Sequence, residues 1–335
     1  MSYRSTLRAL VITMLAACAL ALTARPAAAA DHTIKLATLM PKGSPWGKVL
    51  EVWAKTVGEK SGGRLELQIF YNGVQGDEGA MVGKMKSGQL DGALVTAVGL
   101  SKIYKPILAL QIPGLFPSWA KLDAAREGEK AGFEKGASDA GFRILGWADV
   151  GAAHLYSKGF AVRSPDSLKG KKPYAWRDDA LQPIFYQVIG GVAPVPLNVP
   201  EVLPNLNTGA IDVVTAPALL AEQLQWTSKL DTVVGDVHAY WIGALTISSK
   251  KLDALPEDLR GILLDTAKVT AAALTKRIRD EDAAAFNRQK AKMTVITLTA
   301  DERTAWDRLS EKLRKQLRDG TFSPELIRHL ERYAQ

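Results

Sequence analysis

Two stretches of the chain carry the same pattern: SGQLDGALVTA at residues 87–97 and TGAIDVVTA at residues 208–216. In each, a glycine closes a predicted helix, and an apolar residue, an aspartate and a short apolar segment typical of a buried strand follow. Coincidence is one explanation, because glycine after a helix is common. We interpret the repeat as two lobes of similar construction. Two α/β lobes usually hold a ligand in the cleft between them.

The residues around the first stretch alternate between strand and helix patterns. We predict strands at 33–39, 65–70 and 93–98, with helices over 46–60 and about 77–87 between them. The order βαβαβ favours a mostly parallel sheet with helices on its faces.

The second half repeats this organisation and then becomes helical. A short strand is predicted at the end of SLKGKKPYAW (167–176), and helices over 181–189 and about 200–207. A long amphipathic helix is predicted from Pro256 to about Lys292, followed by helices over 301–318 and 324–333. At about 1.5 Å per residue, the long helix can reach across both lobes.

The N-terminus has the three-part layout of a secretory signal. Residues 1–8 carry two arginines, residues 9–22 form an apolar run, and small residues end at Ala30. This run of 14 residues is shorter than the roughly 20 residues needed to cross a bilayer. We predict a signal peptide over residues 1–30, with cleavage near Ala30. The alternative is lipidation of Cys18, but the apolar run continues past it.

Composition restricts the class of the remaining chain. Without residues 1–30, about 305 residues remain, with 40 basic and 35 acidic side chains and a net charge of +5. That charge is too small to indicate a nucleic-acid partner by itself. Cys18 is the only cysteine, so cleavage near Ala30 leaves no disulfide and no catalytic thiol.

Sequence motifs for catalysis and cofactor binding are absent. The chain has no GxGxxG, Walker A, HExxH or GxSxG motif, and its four histidines have no metal-binding spacing. We therefore predict no cofactor, no metal and no enzymatic activity. The weakest alternative is a hydrolase of unfamiliar design, because no base and nucleophile are assembled.

The stretch KKPYAWRDD (171–179) concentrates aromatic rings in a predicted strand. Tyr174 and Trp176 share one strand face, and Arg177 points to the other if the strand continues that far. Such rings bury a large apolar area and can also hold a cation. The alternative is ordinary core packing of both rings.

The chain resembles the substrate-binding subunits of TRAP transporters, the DctP type, over nearly its whole length after residue 30. The resemblance rests on six stretches in a characteristic order: IKLATLMPKGSPWGK (34–48), EKSGGRLELQIFYNG (59–73), MKSGQLDGALV (85–95), LQIPGLF (110–116), SPDSLKGKK (164–172) and EVLPNLNTGAIDVVTAP (201–217).

The resemblance implies a periplasmic α/β protein with a two-lobed periplasmic-binding-protein-like fold. Crossing strands and one long helix spanning both lobes would join lobe I (31–150 plus about 241–280) to lobe II (151–240 plus about 281–335). Such proteins close on a ligand, usually a small organic acid, and deliver it to two membrane permease subunits. The uptake is driven by an ion gradient.

Three positions depart from the pattern of that family. Tyr174 occupies the position of the usual carboxylate-binding arginine, Ala153 that of a second arginine, and Ala216 that of an asparagine. We therefore predict a hydrophobic, aromatic or amphipathic ligand. The chain looks closer to TRAP-like binding proteins that work with a tetratricopeptide partner in the periplasm.

The predicted substrate-binding residues line the expected cleft. They are Ser44, Trp46, Gln75, Thr96, Trp147, His154, Tyr156, Tyr174, Trp176, Arg177, Val199 and Thr215. Two alternatives stay open: a carboxylate ligand held by Arg177, or an interaction protein whose own aromatic residues fill the cleft.

Overall fold

The computed structural model describes residues 30–335, so the predicted signal peptide and the alternative lipidation site at Cys18 lie outside the described residues. Within that range, the strands β1 to β10 are His32–Thr38, Leu65–Phe70, Gly92–Thr96, Phe142–Ser157, Tyr174–Trp176, Val195–Leu197, Val213–Pro217, Thr232–Val234, Ala239–Ser248 and Thr294–Ile296. The α-helices α1 to α11 are Pro45–Lys60, Glu78–Ser87, Ala97–Ser101, Trp119–Asp139, Gln182–Ile189, Val199–Thr208, Ala218–Gln223, Ser249–Asp253, Glu257–Lys290, Ala300–Arg318 and Pro324–Ala334.

The first lobe contains the predicted βαβαβ unit. Strand β1 lies between β2 and β3 and is parallel to both. Strand β3 ends two residues earlier than predicted, because the hydroxyl of Thr96 caps α3 by accepting from Val98 N at 3.1 Å.

The repeated sequence pattern forms the same local structure twice. Gly88 and Gly209 end α2 and α6 in the left-handed conformation, with φ of 78° and 73°. The carboxylate of Asp91 then accepts from the backbone N–H of Lys35 at 2.7 Å, and that of Asp212 accepts from the backbone N–H of Lys172 at 2.8 Å. In each lobe, the aspartate thus ties the helix end to the neighbouring chain segment.

Two long strands carry one sheet from lobe to lobe. Strands β4 and β9 pair antiparallel along their lengths, with register shifts at Ile144/Gly146 and Asp149/Gly151. Strand β3 pairs with β9 on one side, while β7 and β8 pair with the later part of β4. Strands β5 and β6 form a separate two-stranded parallel sheet, and a single bridge from Pro173 to Val213 of β7 connects it to this second group.

The long helix α9 runs along both groups of strands. Its 34 residues correspond to roughly 50 Å. Near its start, Thr266 accepts from the Trp53 indole of α1 at 3.0 Å, and near its end Gln289 donates to the carbonyl of Ala218 at 2.7 Å. Within residues 30–335, none of the helices combines the length and apolarity that crossing a membrane requires.

Candidate ligand-binding cleft

The lobes meet where the start of α2 faces the end of β5. Asp77 Oδ2 accepts from the indole Nε1 of Trp176 at 3.1 Å and from the backbone N–H of Val199 at 2.8 Å. Next to it, Asp178 Oδ2 accepts from the backbone N–H of Gly79 at 3.0 Å. These bonds directly connect the segment at the start of α2 with the end of β5 and the segment that follows it, and with the start of α6.

A buried glutamate supports the first-lobe wall. The carboxyl group of Glu78 accepts three hydrogen bonds, from Thr96 N, Thr96 Oγ1 and Gly99 N, each at 2.8 Å. Burial raises the pKa of Glu78 to about 8, although the three donated hydrogen bonds oppose that rise. Burial also raises the pKa of Asp77, against the bonds from Val199, Glu78 and Trp176. The wall is therefore rich in carboxyl groups.

Tyr174 and Trp176, the predicted aromatic wall, are each about 2 % exposed, and neither borders the cavities found between the lobes. The Tyr174 ring meets the Trp226 ring edge-on, with centroids 6.0 Å apart. Among the described residues, its buried hydroxyl has no hydrogen-bond partner. Burial raises the pKa of the Tyr174 hydroxyl well above its usual value, and the carboxyl groups of Asp77 and Asp179 add to the effect. A buried hydroxyl among carboxyl groups is suited to a polar partner from outside the chain.

Arg177 lies on the surface. Its guanidinium donates to the carbonyl of Pro196 at 3.2 Å and pairs with Glu201 at 3.3 Å, and about half of the side chain is exposed. The structure therefore does not bring Arg177 together with the aromatic wall. This outcome follows from strand alternation, because Tyr174 and Trp176 take the inner face.

Small cavities remain inside the closed cleft. One of about 30 Å³ includes Gln111, Asp179, Tyr186, Thr215 and Trp241 in its lining, and no lysine or arginine borders it. A second cavity of about 260 Å³ includes Val199 in its lining. Thr215 borders the first of these cavities and Val199 the second, and their part in ligand binding stays a prediction.

The predicted residues of the first lobe have mainly structural contacts. Ser44 caps α1 by accepting from Gly47 N at 3.2 Å, and Gln75 Oε1 accepts from Lys84 Nζ at 2.9 Å. Trp46 is buried, and its indole Nε1 has no hydrogen-bond partner among residues 30–335. Like the Tyr174 hydroxyl, it is a free polar atom inside the protein.

Three predicted residues of β4 contact helices, and their part in ligand binding stays a prediction. Trp147 donates to Glu134 of α4 at 3.0 Å, His154 stacks on Phe286 of α9 at 3.9 Å, and the Tyr156 hydroxyl donates to Gln289 of α9 at 2.7 Å. Burial lowers the pKa of His154 to about 4, so the imidazole packs as a neutral ring. The register shift at Asp149/Gly151 lies between Trp147 and the other two residues, so regular strand alternation does not relate their faces.

Sequence reasoning missed several residues of the cleft. In the sequence, Asp77 and Asp179 are acidic residues near predicted helix starts. Carboxylates are common there, so their position did not indicate a binding site. Phe185 and Tyr186 lie in a predicted helix, yet only the tertiary structure places their rings at the small cavity. Within the described residues, no three histidine, cysteine or acidic side chains are grouped as metal ligands.

The fold and the cleft define a two-lobed solute-binding protein. A family model described as "Bacterial extracellular solute-binding protein, family 7" (DctP) matches residues 36–319. The chain belongs to this family, which confirms the resemblance found in the sequence.

Individual relatives agree with this assignment. The chain is 27% identical over 274 residues to a solute-binding protein of Verminephrobacter eiseniae, covering 80% of each chain. A solute-binding protein of Chromohalobacter salexigens is 30% identical over 173 residues, about half of each chain (51%).

A solved structure confirms the fold class. It is a TRAP periplasmic solute-binding protein from Sulfurospirillum deleyianum with bound succinate, and it superposes with a TM-score of 0.83. The identity is 21%, and the match covers 90% of this chain and 99% of that one.

Proposed function

We propose that this protein is the periplasmic receptor of a TRAP-type secondary transporter. It captures a small solute between its lobes, closes around it and presents it to the membrane permease subunits. Family membership over residues 36–319 supports the role. Its mechanism is a population shift in which the ligand binds the closed form more tightly than the open one.

The register shift of β4 supports a hinge at the boundary proposed between the lobes. Gly151 has φ of 143°, and a Cβ there would lie 2.6 Å from Pro217. Asp282 of α9 accepts from Ala152 N and Leu219 N, both at 2.8 Å. Lobe I (31–150 plus about 241–280) and lobe II (151–240 plus about 281–335) would rotate about these contacts.

The ligand that we propose is atypical for a receptor of organic acids: it is hydrophobic, aromatic or amphipathic. The carrying observation is the replacement of a cationic ligand clamp by the buried Tyr174, whose free hydroxyl lies among carboxyl groups. A carboxylate ligand at the small cavity would meet Asp179 with no lysine or arginine beside it. Like charges in a desolvated site repel strongly. The relative from Sulfurospirillum deleyianum holds succinate, so the proposal predicts a different specificity within the same fold.

Native mass spectrometry of protein purified without refolding tests this proposal, followed by solvent extraction of the bound molecule. We expect an uncharged or amphipathic compound that is retained in Arg177→Ala and lost in Trp176→Ala. If the wild-type protein instead binds succinate and the Arg177→Ala variant does not, the protein is an ordinary carboxylate receptor.

A second candidate function is an interaction protein whose own side chains fill the cleft. The near-complete burial of Tyr174 and Trp176 favours it. A protein that carries no extractable compound and gains no thermal stability from any solute panel would support this candidate.

A periplasmic tetratricopeptide protein is a further partner that we propose, because apolar ligands have low free concentrations in water. Co-purification of such a protein in the presence of ligand, and its loss in Trp176→Ala, would support that partnership.

A further inference from the structure

A larger cavity continues from the small one of the cleft. Its volume is about 180 Å³, and it shares Pro113, Phe185 and His238 with the smaller cavity. Most of its remaining wall comes from α10 and from the turn before β9, and the rest includes Leu155 of β4 and Val234 of β8. The two cavities are therefore neighbouring parts of one space, whose larger part lies beside α10.

Three rings form a box around this larger cavity. The Phe185 and Trp306 rings are parallel within 5°, with centroids 6.5 Å apart. The His238 ring stands nearly perpendicular to both, at 76° and 81°, with centroid distances of 5.1 and 6.0 Å. Offset and edge-on arrangements of this kind also hold the ring of a bound molecule.

The polar groups of the box differ in their availability. The Trp306 indole donates a hydrogen bond to the carbonyl of Arg163 at 3.0 Å, which fixes the orientation of the ring. The ring nitrogens of His238 take part in none of the hydrogen bonds found among residues 30–335. Burial lowers the pKa of His238 to about 4, so the ring is neutral near pH 7 and offers one donor and one acceptor.

The charges at the rim disfavour an anionic guest. Arg303 Nε lies 2.6 Å from Asp236 Oδ1, so the guanidinium already has a carboxylate partner. The exposed Asp307 also borders the cavity and adds negative charge. A carboxylate in this cavity would therefore lose its hydration without gaining a free cation.

We propose that the box formed by Phe185, His238 and Trp306 is a subsite for the uncharged, single-ring end of the ligand, with His238 bonding a hydroxyl substituent. This inference rests on the proposed function, because it assigns part of the same ligand to a specific cavity. The size agrees, since apolar cavities of about 150 Å³ accept one benzene ring. The rest of the ligand would extend toward Tyr174.

Isothermal titration calorimetry of the dialysed protein with phenol, benzoate and benzylamine tests the subsite. We expect phenol to bind at least tenfold more tightly than benzoate, and benzylamine binding more tightly than phenol would refute an uncharged guest. Trp306→Ala removes one wall and should weaken phenol binding at least tenfold. Val237→Trp should fill the cavity from its half-exposed edge and abolish binding.

The matched control is Val52→Trp, which changes an exposed valine of α1 outside this cavity. It should bind phenol as the wild type does, and thermal unfolding should verify that each variant is folded. The subsite is refuted if wild-type protein does not bind phenol, or if both folded cavity variants bind it normally. A natural ligand extracted from Trp306→Ala and from Val237→Trp, but not from Trp176→Ala, would also refute it while leaving the proposed function intact.

Discussion

The carboxylate of Asp77 accepts a hydrogen bond from the indole of Trp176 at 3.1 Å, although the two residues are 99 positions apart and belong to different lobes. The bond joins the start of α2 to β5 across the cleft. If the lobes close as we propose, this bond is one that forms on closure.

Removal of this bond should favour the open form. A hydrogen bond to a charged acceptor contributes about 1.5–3 kcal/mol, which suffices to shift a closed–open equilibrium severalfold. We expect Trp176→Phe to increase the radius of gyration in small-angle X-ray scattering. Trp147→Phe is the matched control, because that indole bonds Glu134 within the first lobe. Equal scattering from both variants and the wild type would argue against a closing role.

The free hydroxyl of Tyr174 predicts opposite effects on stability and on binding. A buried polar group without a partner costs about 1–3 kcal/mol, so Tyr174→Phe should raise the melting temperature of the ligand-free protein. The same variant should bind the natural ligand several times more weakly, as measured by calorimetry.

Tyr186→Phe is the control for this prediction. The Tyr186 hydroxyl donates to the carbonyl of Tyr174 at 3.2 Å, so its removal should lower the melting temperature. A destabilised Tyr174→Phe would mean that the hydroxyl has a partner in solution.

The raised pKa of Glu78 predicts that stability falls between pH 6.5 and 8. Burial raises this pKa from 4.5 to about 8, so the folded protein binds a proton that the unfolded chain has lost. The contribution is present below pH 4.5 and disappears as the pH rises through 8. The slope is at most about 1.4 kcal/mol per pH unit.

The two buried histidines oppose the effect of Glu78 at the lower end of this window, near their unfolded pKa of 6.5, so the slopes are compared between pH 7 and 8. The pKa of Asp179 and that of Asp282 are raised by burial only to about 6, and the pKa of His154 and that of His238 are lowered by burial to about 4. Denaturant unfolding at each pH should therefore give a flatter slope for Glu78→Gln, whatever its absolute stability. The control Glu66→Gln changes an exposed glutamate and should leave the pH dependence of the unfolding free energy unchanged. If Glu78→Gln keeps the wild-type pH dependence, another group is responsible for it.

The glycine that ends α6 should resist substitution for a purely conformational reason. Gly209 has φ of 73°, and a Cβ there would touch no other atom within 4 Å. Gly209→Ala should therefore cost about 1 kcal/mol through backbone strain alone. Gly261, inside α9, also has free space around it but no positive φ, so Gly261→Ala should stabilise by a similar amount. Chemical denaturation measures the change in unfolding free energy for both variants. If both variants were stabilised, or both destabilised, this explanation would be wrong.

Local signals account for the parts of the site that sequence reasoning reached. Tyr174 and Trp176 share a face because alternation along a strand is a property of the backbone, and the same rule directs Arg177 outward. Trp147, His154 and Tyr156 were predicted as cleft residues, but their contacts with α4 and α9 could not be predicted, because the register shifts of β4 depend on its pairing with β9. Strands β4 and β9 themselves were not recognised, since a strand that crosses between lobes lacks simple alternation.

By itself, the sequence determined the βαβαβ order of the first lobe, the long helix α9, the two similar lobes and the glycine ends of α2 and α6. Periodicity and capping depend on residues within one or two turns of each other, so they can be seen in the chain. Only the tertiary structure decided that Asp77 meets Trp176, and that Phe185, His238 and Trp306 enclose one cavity. These contacts join residues far apart in sequence, and they arise only when the packing of the whole core has set the distance between the elements.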